Sequence, residues 1–556
     1  MTERIDPVFY PLSGYWVKLT ILELRANNLS KLRTDRYDVL ILGGGINGAV
    51  AAAALAARGV KVALIDRADF AGATSSNSSN LAWGGIKYLE SHDYALVNKL
   101  CKSRNRLMDA FPSTVREVRF LATVRRGFRY PALFIFLGSM LYWLMGRFHM
   151  QAPHLLSRAG VKARERVINT AQSDGGVEYS DCYLHDNDAR FVFNFVRSAL
   201  NYGCIAVNYV ESVGASREGN RWRTQVRDKL TGEGFEISSS VLINACGPWV
   251  DEHNEMTGQC RRYRHQYSKG IHLIVNRITD TERVLTFFAS DGRLFFVIPM
   301  GPRSCIGTTD TWVEKPEQVV TVSDRQFVLA NVNRLLNLPS ALTPDDIIAE
   351  RCGVRPLALQ GHQDKGDWLQ ASRKHVIETD GKQSHISIFG GKLTDCLNVG
   401  DEVVSLVRQL GVPVPFPHKR WYGEPDSSIR EEFMHRARLL GLDGMTPSSS
   451  SELLSQRLWR RYGRNAIHML ESIRQDPREA ELLIENAEYL RCEIRHAAER
   501  EMVTKLDDFL RRRSKIAQVV SKAEIIRAPG LRDACVLLFG DQAQIKMQEY
   551  IDNLSG

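Results

Sequence analysis

Apolar and polar positions divide the 556-residue chain into three kinds of stretch. The first is the short apolar run closed by glycine. Asp38–Leu42 (DVLIL) is rich in β-formers and stops at Gly43-Gly44-Gly45. Small residues follow (Ala49, Ala51–Ala54, Ala56–Ala57) and predict a helix able to lie close on a sheet. Val60–Ile65 is the next strand and ends at Asp66; Ala189–Tyr202 reads as a helix, and Ile205–Val213, Trp222–Val226 and Val241–Asn244 as strands. The second kind lies between turn dipeptides. His272–Val275, Leu294–Pro299 and Ser304–Thr308, with Asp291-Gly292 and Gly301-Pro302 between them, predict an antiparallel sheet. Ile386–Ile388 then leads through Gly390-Gly391 into a helix over Lys392–Leu410. The third kind is helical at spacing four: Leu454, Leu458 and Tyr462, then Ile494, Ala498 and Met502, beyond the polar linker Ser448–Ser451. Ahead of everything, residues 1–36 hold one helical segment, Tyr15–Leu32.

Gly43-x-Gly45-x-x-Gly48, between a strand and a helix, is the dinucleotide fingerprint. Gly43 makes the turn, Gly45 admits a pyrophosphate, and Gly48 lets the helix sit on the sheet. The phosphates meet the N–H groups of Ile46 and Asn47 at the helix N-terminus. Asp66 stands where a ribose-binding carboxylate is expected, about 20 residues on. The hydroxyl-rich stretch Ala73–Asn80, including Thr74 and Ser75, reads as a loop facing a ligand. The fingerprint alone leaves NAD and FAD open.

A hydrophobic content of 44% with 25% charged residues excludes wholesale disorder. A net charge of +9 suits an anionic partner: a phosphorylated substrate, an anionic lipid or, ranked last for want of any visible module, nucleic acid. Ten cysteines without a CxxC pair predict a reduced, cytoplasmic setting with no metal site and no disulfide framework. The N-terminus (MTERIDPVFY) has no apolar core, so no signal peptide is expected. Leu133–Gly146 is too short to span a bilayer. It reads either as a buried core helix or as a segment in the bilayer interface, flanked by Arg125, Arg126, Arg129, Arg147 and Arg158. The basic run Asp507–Lys515 is expected to be a solvated face.

GGGING followed by ATSSNSSNLAWGGIKYLE closely resembles the FAD-dependent glycerol-3-phosphate dehydrogenases of the D-amino-acid-oxidase superfamily. The resemblance continues through Glu178–Cys182, Asp188–Arg190, Asn244–Val250, Lys269–His272, Ile306–Asp310, Gly353–Leu357 and Phe389–Thr394, covering roughly 37–400. It implies an α/β, Rossmann-like FAD-binding domain (37–110 with 170–250 and 350–412). To this it adds an insertion at 111–169, an antiparallel-sheet substrate domain at 255–349 and an α-helical domain at 415–556. It also implies FAD as cofactor, oxidation of the secondary alcohol of a polyol phosphate, a quinone as acceptor, a homodimer, and a place on the inner face of the cytoplasmic membrane. Ala245, Gly247 and Trp249 would line the adenosine, with Asn80 and Leu81 beside the cofactor. Gly391, Lys392, Leu393 and Thr394 would meet the flavin at a helix N-terminus. His272, Arg355 and Lys392 are the catalytic candidates. Trp83, Lys87, Tyr88, Thr309 and Arg373 are the substrate candidates. His272 is taken as proton acceptor because an ordinary histidine titrates near pH 6.5, and Arg355 as the charge that stabilises a developing alkoxide.

The departures concern the substrate. Where the family reads SSxKLxHGGLRYLE, Asn80 replaces a lysine, Trp83 a histidine and Lys87 an arginine; where it reads GGKLTTYR, this chain has Asp395, Cys396 and Leu397. A carboxylate near a phosphate is repulsive unless paired or turned away. Three readings therefore stand. One is oxidation of glycerol 3-phosphate or a related polyol phosphate, glycerophospho-headgroup or larger hydroxy compound. Another is an amine or 2-hydroxy-acid oxidoreductase using Arg355 or Arg373 on a carboxylate. The third is a catalytically altered, membrane-associated flavin-binding protein.

Overall fold

The computed structural model describes residues 23–259, 262–360, 375–448, 450 and 452–555. Its first sheet carries five parallel strands in the spatial order His385–Phe389, Gly234–Asn244, Arg36–Leu42, Val62–Ile65 and Ile205–Val207. Arg36–Leu42 lies in the middle because its side chains are apolar on both faces, as a covered parallel strand requires. The alanine helix Ile46–Ala57 is buried from Asn47 to Ala57, packed between the helices Asp188–Asn201 and Cys396–Gln409. Alanine is what permits that double approach.

The second sheet is mainly antiparallel. Tyr263–Asn276 pairs with Ala349–Gln360 on one side and with Arg303–Gly307 and Thr311–Val313 on the other; Leu294–Met300, Val284–Phe288, Val115–Arg125 and Ser173–Leu184 continue it. Ser173–Leu184 and Ala349–Gln360, expected in the cofactor domain, thus belong to this sheet. Their main pairing partners, Val115–Arg125 and Tyr263–Asn276, lie more than forty residues away, which local pattern does not show. The expected strand Ile205–Val213 is two strands, Ile205–Val207 and Val210–Glu218, broken where Tyr209 takes a left-handed backbone (φ 56°). Of the expected helix Tyr15–Leu32, the described residues form a helix over Glu23–Thr34, two residues past the expected end.

The C-terminal region is helical, and the basic run within it is not solvated. Arg512 and Arg513 are buried and grip Asp69 at 2.7 and 2.8 Å, immediately before the ligand-facing loop. Burial alone would raise the Asp69 carboxyl, but the two guanidiniums outweigh it and hold it below the usual range. Glu501 likewise pairs with Arg190 and Arg197, and Asp186 with Arg460 and Arg461. Buried pairs of this kind add little net stability, but breaking one is costly, so they fix the register between domains.

Candidate active site

A cavity of about 720 Å³ lies at the carboxyl edge of the parallel strands, where Leu42, Ile65, Ala245 and Gly390 meet it. At its centre Gly43 turns with φ 98°, and a Cβ on Gly48 would stand 1.8 Å from the Gly43 carbonyl oxygen. Gly45 has an extended backbone, and a Cβ there would meet only Ser75 Oγ, at 3.2 Å. The space before it is therefore open to a ligand. Ser75 Oγ accepts from the Ile46 N–H at 3.0 Å, and Asp66 accepts from the N–H groups of Gly44 (2.6 Å) and Ala68 (2.8 Å). Burial raises the Asp66 carboxyl to about 6 against those two bonds. Toward one end Ala245, Gly247 and Trp249 face Val210 and Glu211, with the Arg67 guanidinium 4.1 Å from the Trp249 ring.

Toward the other end Thr74, Ser75 and Leu81 face Gly391, Lys392, Leu393 and Thr394. Thr74 Oγ1 donates to the Val354 carbonyl at 2.7 Å, tying the ligand loop to the second sheet. Asn47 lines the same wall; its Nδ2 donates to the Gly390 carbonyl, while its buried Oδ1 has no donor among the described residues. An open glycine cradle, a ribose-position carboxylate and an unsatisfied buried acceptor fit a bound dinucleotide extending toward Lys392, as FAD would.

Two expected cofactor contacts lie elsewhere. Gly48 is behind the cradle and acts by packing. Asn80 is a strut: it donates to the Asp186 carbonyl at 3.2 Å and accepts from Arg351 at 3.1 Å, so its amide turns away from the cavity.

Trp83, Lys87, Tyr88, Arg355 and Lys392 all line the far end, although Arg355 and Lys392 come from strand and turn segments far along the chain from the others. Lys392 Nζ donates to Tyr88 Oη at 2.8 Å and stands 4.1 Å from the ring centre. Arg355 reaches Ser268 Oγ (3.3 Å), Asp310 Oδ1 (3.4 Å) and Thr308 Oγ1 (3.3 Å). Gly270 makes room for it: a Cβ there would be 2.2 Å from a guanidinium nitrogen. Arg293, Thr308 and Asp310 complete the wall. Arg293 follows Asp291-Gly292, a dipeptide that reads only as a turn, so nothing in the local pattern singles it out. Asp310 ends the same IGTTD motif that carries Thr309.

His272 and Thr309 do not line the cavity. Thr309 is buried, with its Oγ1 accepting the Ile271 N–H at 3.0 Å. His272 is covered by Gly307, and burial, with Arg351 and Arg355 nearby, lowers it to about 3. An imidazole so displaced is a weak base, which removes the ground for its expected role. Arg373 lies outside the described residues. Asp395 is also off the wall: it pairs with His375 (2.8 Å), Lys99 (3.2 Å) and Ser103 (2.8 Å). Burial would raise its carboxyl, but these partners bring it to about 2. The feared repulsion toward a phosphate is answered by pairing. Cys396 and Leu397 point into the core.

The chain matches the family described as FAD dependent oxidoreductase over residues 38–377, and the C-terminal domain of alpha-glycerophosphate oxidase over 430–530. It is 31% identical over 504 residues to glycerol-3-phosphate dehydrogenase 2 of Mycobacterium tuberculosis, an alignment covering 89% of this chain and 83% of the relative. It is 30% identical over 384 residues to the aerobic glycerol-3-phosphate dehydrogenase of Staphylococcus aureus, with 68% of each chain covered. Its fold is similar to that of the glycerol-3-phosphate dehydrogenase from Bacillus halodurans complexed with FAD, with a TM-score of 0.73 at 24% identity, covering 96% and 97% of the two chains.

Proposed function

We propose, from the premise that this chain belongs to the family of FAD-dependent oxidoreductases that includes the glycerol-3-phosphate dehydrogenases, that it oxidises the secondary alcohol of glycerol 3-phosphate. The observation that carries the reading is the convergence of Lys87, Arg293, Arg355 and Lys392 on one end of the cavity whose other end is the glycine cradle. Four cations suit a phosphate dianion better than a single carboxylate. The cofactor supplies the hydride acceptor. Lys87 and Lys392 hold the phosphate, and the Lys392–Tyr88 bond sets where that ammonium stands. Arg355, steadied by Ser268 and Thr308, stabilises negative charge on the reacting oxygen. Asp310, the one acid among the described residues lining that end, takes the hydroxyl proton at a carboxylate oxygen. Trp83 in place of a histidine adds an apolar wall and leaves the proton work to Asp310. Anaerobic mixing with glycerol 3-phosphate is expected to bleach the flavin's yellow band, and a short-chain quinone to restore it. No bleaching would sink the substrate; restoration by air as fast as by quinone would sink the acceptor.

A membrane surface is part of the same reading. Leu133–Gly146 is neither buried nor spanning: no described helix is long and apolar enough to cross a bilayer. The helix Ala132–Met145 is held on one face by Tyr142, whose hydroxyl donates to Asp181 at 2.6 Å. On the other face Leu133, Phe134, Leu137 and Leu144 are each 55–58% exposed. Each gains about 1.5–3 kcal/mol on burial, and arginines flank both ends, the arrangement of an interfacial helix. Leu137→Asp/Leu141→Asp is expected to abolish pelleting with phosphatidylcholine vesicles while flavin reduction persists; unchanged pelleting would remove this surface from the proposal. A homodimer on the inner membrane face rests on the family resemblance alone.

A further inference from the structure

A second cavity, of about 440 Å³, opens on the surface away from the cofactor. Its cations come from three parts of the chain. Lys102 and Arg106 lie four residues apart on one face of the helix Tyr94–Ala110, with Asp109 a turn further on. Arg147 follows the interfacial helix, in a loop pinned by Asn105 Nδ2 donating to the Gly146 carbonyl at 2.9 Å. Arg147 and Phe148 both take left-handed backbones (φ 57° and 58°), which bring Arg147 round to the cleft while Phe148 packs on Trp143 at 4.5 Å. Arg420 closes the third side; its guanidinium lies 5.5 Å, and that of Arg106 4.6 Å, from the ring of Tyr422.

The cleft therefore gathers four cations, three of them exposed, against one lining acid, Asp109, which stands 3.4 Å from His149. Arg106 is satisfied by Asp401 at 2.6 Å, but among the described residues Lys102, Arg147 and Arg420 have no acidic partner. Three such cations held round one concavity repel one another, and an anion relieves that cost. Guanidiniums and an ammonium in a shallow cleft match a phosphate group, by paired N–H donation and by point charge.

We propose that this cleft is a second phosphate-binding site, separate from the catalytic cavity. Arg106 connects it to the flavin end of the fold: its Nη1 donates to Asn398 Oδ1 at 2.9 Å, and Asn398 Nδ2 donates to Asp395, the residue immediately before the helix Cys396–Gln409. The phosphate is either that of an anionic lipid headgroup, given the adjoining apolar helix, or free in solution; the chemistry of recognition is the same.

The test uses the flavin-loaded full chain and inorganic phosphate, and rests in one arm on the proposed substrate site. Equilibrium dialysis at low ionic strength is expected to show about two phosphates per chain. Lys102→Ala/Arg147→Ala, two exposed side chains outside the catalytic cavity, is expected to lose one of them while glycerol 3-phosphate still bleaches the flavin. An unchanged stoichiometry in that variant overturns the proposal. Lys87→Ala/Lys392→Ala is expected to lose the other phosphate. If it loses none while the first variant does, the substrate reading fails and the cleft stands. Vesicles identify the source. Binding weakened about thirtyfold to phosphatidylglycerol but not phosphatidylcholine vesicles, in the Lys102→Ala/Arg147→Ala variant, assigns the phosphate to a lipid. Equal vesicle binding by variant and parent, with the phosphate lost in dialysis, assigns it to a free phosphate.

Discussion

Gly45→Val is expected to yield a folded protein that purifies colourless, with FAD affinity reduced by about a hundredfold or more, equivalent to ~3 kcal/mol. The backbone at Gly45 is extended, so valine adopts it without strain, and the only nearby atom is a serine hydroxyl that can rotate away. The added side chain projects instead into the space before the helix N-terminus. Gly48→Val differs in kind: its Cβ would meet the Gly43 carbonyl, so the strand–helix unit itself must open. Absorbance of the purified protein, with far-ultraviolet circular dichroism to confirm folding, separates the two. A yellow Gly45→Val protein would show that the pyrophosphate does not lie where the cradle points.

Arg355→Ala is expected to lower kcat/KM for glycerol 3-phosphate by about 10²–10³-fold with flavin content unchanged. The size follows from losing a charged donor where negative charge develops, in a pocket partly shielded from water. Arg355→Lys is expected to recover only part of the loss, because an ammonium cannot span Ser268, Thr308 and the substrate together. Asp310→Asn should lose a comparable factor, since it removes the proposed proton acceptor and leaves the guanidinium without its carboxylate. Wild-type rates in Arg355→Ala would place the reacting hydroxyl elsewhere in the cavity. A rate surviving in Asp310→Asn but lost in His272→Asn would restore the histidine as base, despite the burial that lowers it.

These predictions draw on residues of unequal legibility. The cradle is local: the strand, three glycines, alanine helix, second strand and Asp66 follow one another in under thirty residues, so periodicity and spacing expose them directly. The substrate end is assembled from segments hundreds of residues apart. Lys87, Arg355 and Lys392 were found through motif resemblance, and their sharing of one cavity wall is a property of how the two sheets meet. Arg293 is not legible in the sequence, because a residue after a turn dipeptide carries no periodic signal. His272 lies off the cavity wall for a reason no spacing shows: it is buried in its own strand, opposite Gly307 on one side and Arg351 on the other.

Charge is where sequence pattern is least informative. Asp507–Lys515 looks like a solvated face, yet Arg512 and Arg513 reach back to a carboxylate more than four hundred residues away. Asp395 looks like an intrusion beside a phosphate, yet His375, Lys99 and Ser103 absorb it. In both cases partners come from distant segments, Asp69 in the first and Lys99 and Ser103 in the second, and the sign of the effect depends on them.

From its sequence alone this protein declares a dinucleotide cradle and an apolar stretch at Leu133–Gly146, because each rests on short-range pattern that the backbone must obey, while FAD and the oxidoreductase family are read from motif resemblance along residues 37–400. The tertiary structure alone decided that the apolar helix turns outward, that His272 is buried in its strand off the cavity wall, and that Asp395 is paired with His375, Lys99 and Ser103. Those outcomes depend on which distant side chains arrive within hydrogen-bonding reach, and chain connectivity does not encode that until the two sheets and the helical domain have packed together.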